Sequence, residues 1–282
     1  MKIDAHQHFW KYNPSDYVWI DSRMESLKKD YLPEDLSPHL SQLGIQGTIA
    51  VQARQMEVET NFLLQLAEQN QWILGVVGWV DFEGPDLEQR IERFAQHPRL
   101  KGFRELIHDM PDPNYAISEV HLGAIKLLEK YNLAYDLLLR PGHIPAAIDL
   151  VDKFPNQRFI LDHIAKPEIR SGSKEPWQSR VKELAKRPNV YCKLSGLVTE
   201  ADWTNWTREI VYPYLDICLG AFGPQRLMVG SDWPVCTLAG TYKEVMSLTL
   251  GYLESLSASE QQRVFSETCL EAYKITYPPT NL

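Results

Sequence analysis

Cysteine is scarce: the chain has four, Cys192, Cys218, Cys236 and Cys269, widely spaced and with no C-x-x-C pair. This excludes a disulfide scaffold and a cysteine zinc module, and leaves reduced thiols in a cytoplasmic protein as the ordinary reading. No G-x-G-x-x-G follows the first apolar run, so the dinucleotide fingerprint is missing. Lysine and arginine form no cluster, and the formal net charge is −8. An acidic chain without a basic patch argues against nucleic acid or an anionic membrane as partner. No apolar run approaches the roughly 20 residues of a membrane helix. A strand carrying His6 stands where the basic region of a signal peptide would lie, so a cytoplasmic location is expected. No stretch of sequence repeats.

What is present is a structural rhythm within an ordinary globular composition, 44% hydrophobic and 23% charged. Short apolar runs alternate with amphipathic segments. The runs read as strands over Lys2 to His6, Gly47 to Gln52, Ile73 to Val80, Leu100 to Arg104, Ala134 to Leu139, Arg158 to Asp162, Val190 to Leu194 and Arg226 to Gly230. Helices are expected near Pro33 to Leu43, Glu57 to Gln69, Asp86 to Gln96, Ser118 to Tyr131, Pro145 to Phe154, Trp177 to Lys186, Asp202 to Leu219, Tyr242 to Glu254 and Ser259 to Ala272. Ser118 is placed to cap its helix, and Pro213 to break or kink its own. Eight strands, each followed by a helix or a helix-bearing connection, predict an α/β fold of the (β/α)8 TIM-barrel kind. No linker divides the chain, so residues 1–275 read as one domain and residues 276–282 as a Pro-rich tail.

In such a barrel the C-terminal ends of the strands form the reactive face. His6 and His8 share one side of the first strand, because side chains alternate. They can hold one divalent ion, or orient a water and a substrate. The pair alone is a weak signal, but other polar residues fall at the same end of later strands. Gln52 ends the second strand and Arg104 the fourth. Asp136 and Arg140 belong to the fifth, His163 follows the sixth, Lys193 and Ser195 the seventh, and Asp232, with Trp233 beside it, the eighth. Arg104 and Lys193 serve equally well as substrate binders or as structural ion-pair partners. His108 and His143 lie in loops, where a solvated histidine is the ordinary reading; His108 is retained as a candidate substrate contact. The aromatic loop from Trp10 to Trp19 can be core, or a lid and pocket wall.

Four motifs occur in order: Asp4-Ala5-His6-Gln7-His8-Phe9-Trp10, Ile160-Leu161-Asp162-His163-Ile164-Ala165-Lys166-Pro167, Val190-Tyr191-Cys192-Lys193-Leu194-Ser195-Gly196, and Arg226-Leu227-Met228-Val229-Gly230-Ser231-Asp232-Trp233-Pro234. This pattern resembles the amidohydrolase superfamily, and within it the amidohydrolase-2 branch that holds sugar lactonases. The resemblance covers essentially the whole chain and implies a (β/α)8 barrel. It implies that His6 and His8 are the strand-one pair, that His163 is the strand-six histidine, and that Asp232 takes a proton from the attacking water. Binuclear relatives carry a metal-bridging lysine or glutamate at strand four, where this chain has Arg104. Guanidinium has no acceptor and cannot ligate a cation. The strand-five histidine of those relatives is also replaced, by Asp136. One ion, zinc or manganese on His6, His8 and Asp232, or none, is what the resemblance leaves.

The expected activity is hydrolysis of a sugar-derived or carboxylated lactone, a small-molecule substrate. Asp232, His163 and Lys193 are the expected catalytic residues, and Arg104, Gln52, Trp10, Trp233 and His108 the substrate contacts. Without a metal, protonated His6, His8 or His163 would donate to the developing oxyanion. Two other readings stand beside this one: a mononuclear-metal decarboxylase or hydratase of small aromatic or unsaturated acids, and a non-catalytic barrel that binds a sugar acid. The oligomeric state is left open by the sequence.

Overall fold

Parallel strands are stable only when both faces are covered, which is why their sequences read as near-continuous apolar runs rather than alternating ones. The computed structural model describes residues 1–276. Its strands are β1 (Ile3–Gln7), β2 (Gly47–Val51), β3 (Ile73–Gly78), β4 (Leu100–Glu105), β5 (Ala134–Leu137), β6 (Phe159–Leu161), β7 (Val190–Leu194) and β8 (Leu227–Val229). They form one eight-stranded sheet in the order of the chain, with every neighbouring pair parallel. The sheet closes just past the strand ends: Asp232 N donates to His6 O at 2.8 Å, and His8 N to Trp233 O at 2.7 Å. These two bonds tie the first motif to the last.

Helices α1 (Pro33–Leu43), α2 (Glu57–Gln69), α3 (Leu87–Ala95), α4 (Glu119–Lys130), α5 (Ile144–Lys153), α6 (Trp177–Leu184), α7 (Arg208–Phe222) and α8 (Tyr242–Tyr252) follow their strands in turn. Their apolar faces bury residues such as Leu63, Ile91, Ile125, Leu150, Val181 and Leu215 in the larger core, between helices and barrel. A second core fills the barrel, with Ile49, Val51, Val77, Ala134, Ile160 and Met228 pointing inward. The chain then continues through α9 (Ala258–Gln262), a π turn (Arg263–Glu267) and α10 (Thr268–Ala272). Cys269, Ala272 and Tyr273 join the inner core, so this last segment closes the end of the barrel opposite the reactive face.

The elements follow the expected order, with several strands a residue or two shorter than their apolar runs. The side chain of Ser118 caps α4 by accepting from His121 N. Two helical expectations need correction. Residues 202–207 precede α7 instead of belonging to it, and Pro213 sits inside α7 without ending it. The missing N–H of Pro213 deprives only the Glu209 carbonyl, and Glu209 is exposed to water. The expected helix over Ser259 to Ala272 is interrupted by the π turn. The tail expected over residues 276–282 falls, apart from Thr276, outside the described residues.

Candidate active site

Asp4, the second residue of β1, is fully buried and anchors the β1–β8 junction. It accepts from Ser231 N at 2.9 Å, Ser231 Oγ at 2.6 Å and Tyr242 Oη at 3.1 Å. Burial pushes its carboxyl up to about 6, against the pull of these donors. The anchor places Asp232, next to Ser231, in a left-handed conformation (φ 60°) that turns its carboxylate over the strand ends. Asp232 Oδ1 lies 3.2 Å from His8 Nε2 and 3.9 Å from both His6 Nε2 and His163 Nε2. Burial would raise its pKa, but His163 and His8 hold it below the usual carboxylate range, so it is ionised at neutral pH.

His163 is set by an unusual backbone. Four successive residues, His163, Ile164, Ala165 and Lys166, have positive φ. For non-glycine residues, and for β-branched Ile164 most of all, this conformation is strained and persists only where packing enforces it. The turn brings both His163 and Lys166 to the wall of the same cavity. Gly196 leaves the room: a Cβ there would sit 2.5 Å from His163 Nδ1. That nitrogen instead pairs with Ser195 Oγ at 2.9 Å. Burial lowers the pKa of His6 and His163 well below the ordinary histidine value, so both rings are neutral. Any hydrogen bond that either ring donates therefore comes from a neutral N–H rather than from an imidazolium.

Arg104 leans over the same floor. Its guanidinium donates to Asp162 Oδ2 at 2.9 Å, to Gln52 O at 2.5 Å and to Gln52 Oε1 at 3.1 Å, and its Nη1 lies 3.4 Å from His6 Nε2. Asp162 also lies 2.9 Å from Lys193 Nζ. Burial opposes its ionisation, but Lys193, His6 and Arg104 together hold it well below the usual range.

The cavity above, of about 140 Å³, has a polar side made by His8, Arg104, His108, His163, Lys166 and Asp232. Trp19, Ala53, Leu106, Leu138 and Val235 form its apolar side. His8, His163, Asp232, Arg104 and His108 therefore meet around one space. Burial and neighbouring cations, Lys166 first, push His108 down to about 2, so it too is neutral. Other expected site residues lie apart from the cavity lining. Gln52 is buried beneath Arg104 and positions it. Trp10 is packed in the core, with Nε1 donating to Lys29 O at 2.9 Å. Trp233 packs edge-on against Phe9 and Tyr31. Lys193 is fully buried between Asp136 and Asp162. From the aromatic loop, Trp19 reaches the wall, held by Nε1 to Ala53 O at 2.8 Å. His143 lies off the wall, with Nε2 3.4 Å from Met110 O.

Asp162, Lys166 and the Asp4–Ser231 anchor were not among the expected functional residues, whereas Trp19 meets the expectation that the aromatic loop can form a pocket wall. Asp162 and Lys166 flank His163 in a quoted motif, and Asp4 and Ser231 stand in two others. A charged side chain inside an apolar strand was the available signal for Asp4.

His6, His8 and Asp232 offer ligand atoms that all lie within 4.8 Å of one another, as do His6, Asp162 and His163. The first set suits one divalent ion. His8 Nδ1 donates to Val51 O at 2.8 Å, which fixes the ring with Nε2 turned toward the site. Asp232 is an ionised oxygen donor beside it. Arg104 Nη1, 3.4 Å from His6 Nε2, brings a positive charge that disfavours a second ion beside it.

A closed parallel barrel with a buried histidine–carboxylate cluster at its C-terminal face defines an enzyme of the (β/α)8 class. The sequence profile of the amidohydrolase family matches residues 3–275, and the chain belongs to that family. It is 38% identical to an L-fucono-1,5-lactonase of Burkholderia multivorans, across 99% of this chain and 97% of that one. It is 36% identical to an L-fucono-1,5-lactonase of Burkholderia ambifaria, across 98% and 97%. Among solved structures, an amidohydrolase from Burkholderia multivorans with bound zinc superposes with a TM-score of 0.94, at 38% identity, covering 98% of this chain and 100% of that one.

Proposed function

We propose that the protein is a lactonase that opens a sugar-derived lactone, of the aldonolactone or carboxylated kind, using water activated by Asp232. The observation that carries this reading is the ionised, buried Asp232 carboxylate within 3.2 Å to 3.9 Å of three histidine nitrogens, on the floor of a cavity walled by Arg104 and Lys166. The relatives at 36% and 38% identity bear the name of such an enzyme.

In this mechanism Asp232 accepts a proton from a water whose oxygen bonds to the lactone carbonyl carbon. The charge that develops on the carbonyl oxygen needs donors already in place. His163 can supply one from Nε2 when Ser195 donates to its Nδ1, and Arg104 adds positive charge nearby. The ring C–O bond then breaks, and protonated Asp232 returns its proton to the leaving alkoxide. Lys166 and His108 bind hydroxyls or the product carboxylate, and the apolar side receives the C–H face of the sugar ring. A zinc or manganese ion held by His6, His8 and Asp232 would supply Lewis acidity for the carbonyl. The substrate is a small molecule, neither nucleic acid nor membrane, and the four buried, unpaired cysteines suit a cytoplasmic enzyme. No helix among the described residues is long and apolar enough to cross a membrane.

The test is a panel of aldonolactones and hydroxybenzoates, read as acid release against CO2 release. Acid release from at least one aldonolactone is expected. CO2 from a hydroxybenzoate would instead establish the decarboxylase reading, and binding of a sugar acid without any turnover would establish the non-catalytic one.

A further inference from the structure

The apolar side of the cavity is held from outside it, by a carboxylate that the reaction outlined above does not use. Gln52 N donates to Val77 O at 2.8 Å and carries the β2–β3 pairing one residue past the strand. The next two amides, Ala53 N and Arg54 N, donate instead to one oxygen of Glu59, Oε2, at 3.1 Å and 2.8 Å. The other oxygen, Oε1, accepts from Tyr17 Oη at 3.2 Å. Tyr17 belongs to the aromatic loop after β1, two residues before Trp19. Ala53 and Trp19 both line the cavity, and the bond from Trp19 Nε1 to Ala53 O joins them. One carboxylate therefore grips both chain segments that supply this part of the wall.

Glu59 is fully buried in the first turn of α2, where the helix dipole favours a negative charge. Even so, burial pushes its carboxyl up to about 7, against the pull of its donors. A carboxylate buried in this way costs stability unless it serves groups that need it. Here those groups are a tyrosine hydroxyl and two adjacent amides, neither of which has a backbone partner among the described residues. A second contact spans the same two segments: Arg54 pairs with Asp16, and its guanidinium lies 5.2 Å from the centre of the Tyr17 ring. Arg54 and Asp16 are partly exposed, so their pair contributes little. Trp10 backs the arrangement, its ring centre 5.8 Å from those of both Tyr17 and Trp19. A wall fixed in advance binds its ligand without the entropy cost of ordering loops on contact.

We propose that Glu59 is a positioning residue for substrate binding, which acts through Ala53 and through Tyr17 to hold Trp19 against the cavity. Its contribution is to affinity. The bonds that form and break lie on the polar side, at Asp232 and His163, while the wall it holds faces the C–H side of the ring. Loosening that wall weakens the bound substrate and its transition state alike. The assignment rests on the lactonase reading for the identity of the ligand, and on geometry alone for the latch.

The test is steady-state kinetics on the lactone panel, with calorimetric titration of the corresponding sugar acids. Tyr17→Phe keeps the ring and removes its bond to Glu59. It should raise KM and weaken sugar-acid binding by about fivefold, the order of one hydrogen bond, with kcat within about twofold. Glu59→Ala removes all three bonds and should raise KM by about tenfold or more. In Glu59→Gln the amide oxygen can still accept from both backbone N–H groups while its NH2 donates to Tyr17 Oη, so KM should stay within about twofold of wild type. A Glu59 that only supports the fold would instead lower the amount of active enzyme, and with it the apparent kcat, at unchanged KM. That result would overturn the proposal, and so would an unchanged KM in Tyr17→Phe. Should Glu59→Ala fail to fold, Tyr17→Phe and Glu59→Gln decide. Weakened sugar-acid binding in Tyr17→Phe, without turnover of any lactone by the wild type, would sink the lactonase reading and leave this one standing. A wild type that neither turns over nor binds any member of the panel would overturn both.

Discussion

Replacing Asp232 by asparagine keeps the size and shape of the side chain and removes the one property the mechanism needs, a carboxylate that can take a proton. The amide oxygen can still face His8 Nε2, now 3.2 Å from Oδ1, so the three histidines should keep their places. General-base catalysis contributes about 10²- to 10⁴-fold in rate. Asp232 also bears the negative charge that three ring nitrogens surround, and it returns the proton to the leaving group, so the upper part of that range applies. A loss of about 10³-fold or more in kcat corresponds to roughly 4 kcal/mol of barrier. The pH profile supplies the control. A base is active when deprotonated, so the wild-type rate should rise with pH through the Asp232 pKa and then level off. Because that pKa lies below the usual carboxylate range, the rise should be complete well before neutrality. In Asp232→Asn this acid limb should vanish. Stopped or continuous assay of acid release from about pH 2.5 to 8, with circular dichroism to confirm the fold at each pH, reads both effects. An Asp232→Asn enzyme that keeps more than a tenth of wild-type kcat would refute the assignment of Asp232 as base.

Three further expectations follow from the same geometry. Lys166 lines the cavity and is held by Glu200 at 2.8 Å; Lys166→Met should raise KM by about tenfold and leave kcat within about threefold, the signature of lost uniform binding, in steady-state kinetics. Ser231→Ala leaves the buried Asp4 carboxylate short of a donor and should cost about 1–3 kcal/mol in urea unfolding, with a fall in activity because Asp232 is the next residue. His121 is buried among Phe82, Tyr115 and Tyr135 with no hydrogen-bond partner on either ring nitrogen among the described residues, and burial lowers its pKa to about 4. Between about pH 4 and 6.5 the unfolded chain binds the His121 proton and the folded one does not, so this residue's contribution falls as the pH drops. The loss approaches about 3 kcal/mol at the acid end. The stability difference between wild type and His121→Phe should therefore shift in the variant's favour from pH 7 to pH 4.5; a difference independent of pH would contradict it.

Much of the barrel was legible because its signal is local. An apolar run too short for a helix, then a polar loop, then an amphipathic segment is a pattern in sequence, and it recurs eight times. Boundaries were less legible, since pairing rather than apolarity ends a strand: β6 stops at Leu161 because the chain turns left-handed two residues later. Pro213 shows the same limit. Its ring forbids one backbone bond, but an exposed Glu209 carbonyl can turn to water, so the helix continues. Within the site, the clustered histidines and Asp232 stood out as polar residues at strand ends. Gln52, Trp10 and Lys193 stood out in the same way, yet a strand end has an inner floor and an outer rim. Depth along the barrel is not written in residue spacing.

The sequence alone determined the class of the protein. Short apolar runs and period-3.6 segments set the order of strands and helices, and the arginine at strand four disfavours a second metal because guanidinium has no lone pair. Tertiary structure decided what each polar residue faces. It brought Asp4, at the start of the chain, to Ser231 and Tyr242 near its end, making one anchor behind Asp232. It turned Lys166 and Trp19 into cavity wall. The physical reason is that hydrogen bonds and charge pairs act over about 3 Å, and only closure of the eight strands brings residues more than a hundred positions apart within that distance.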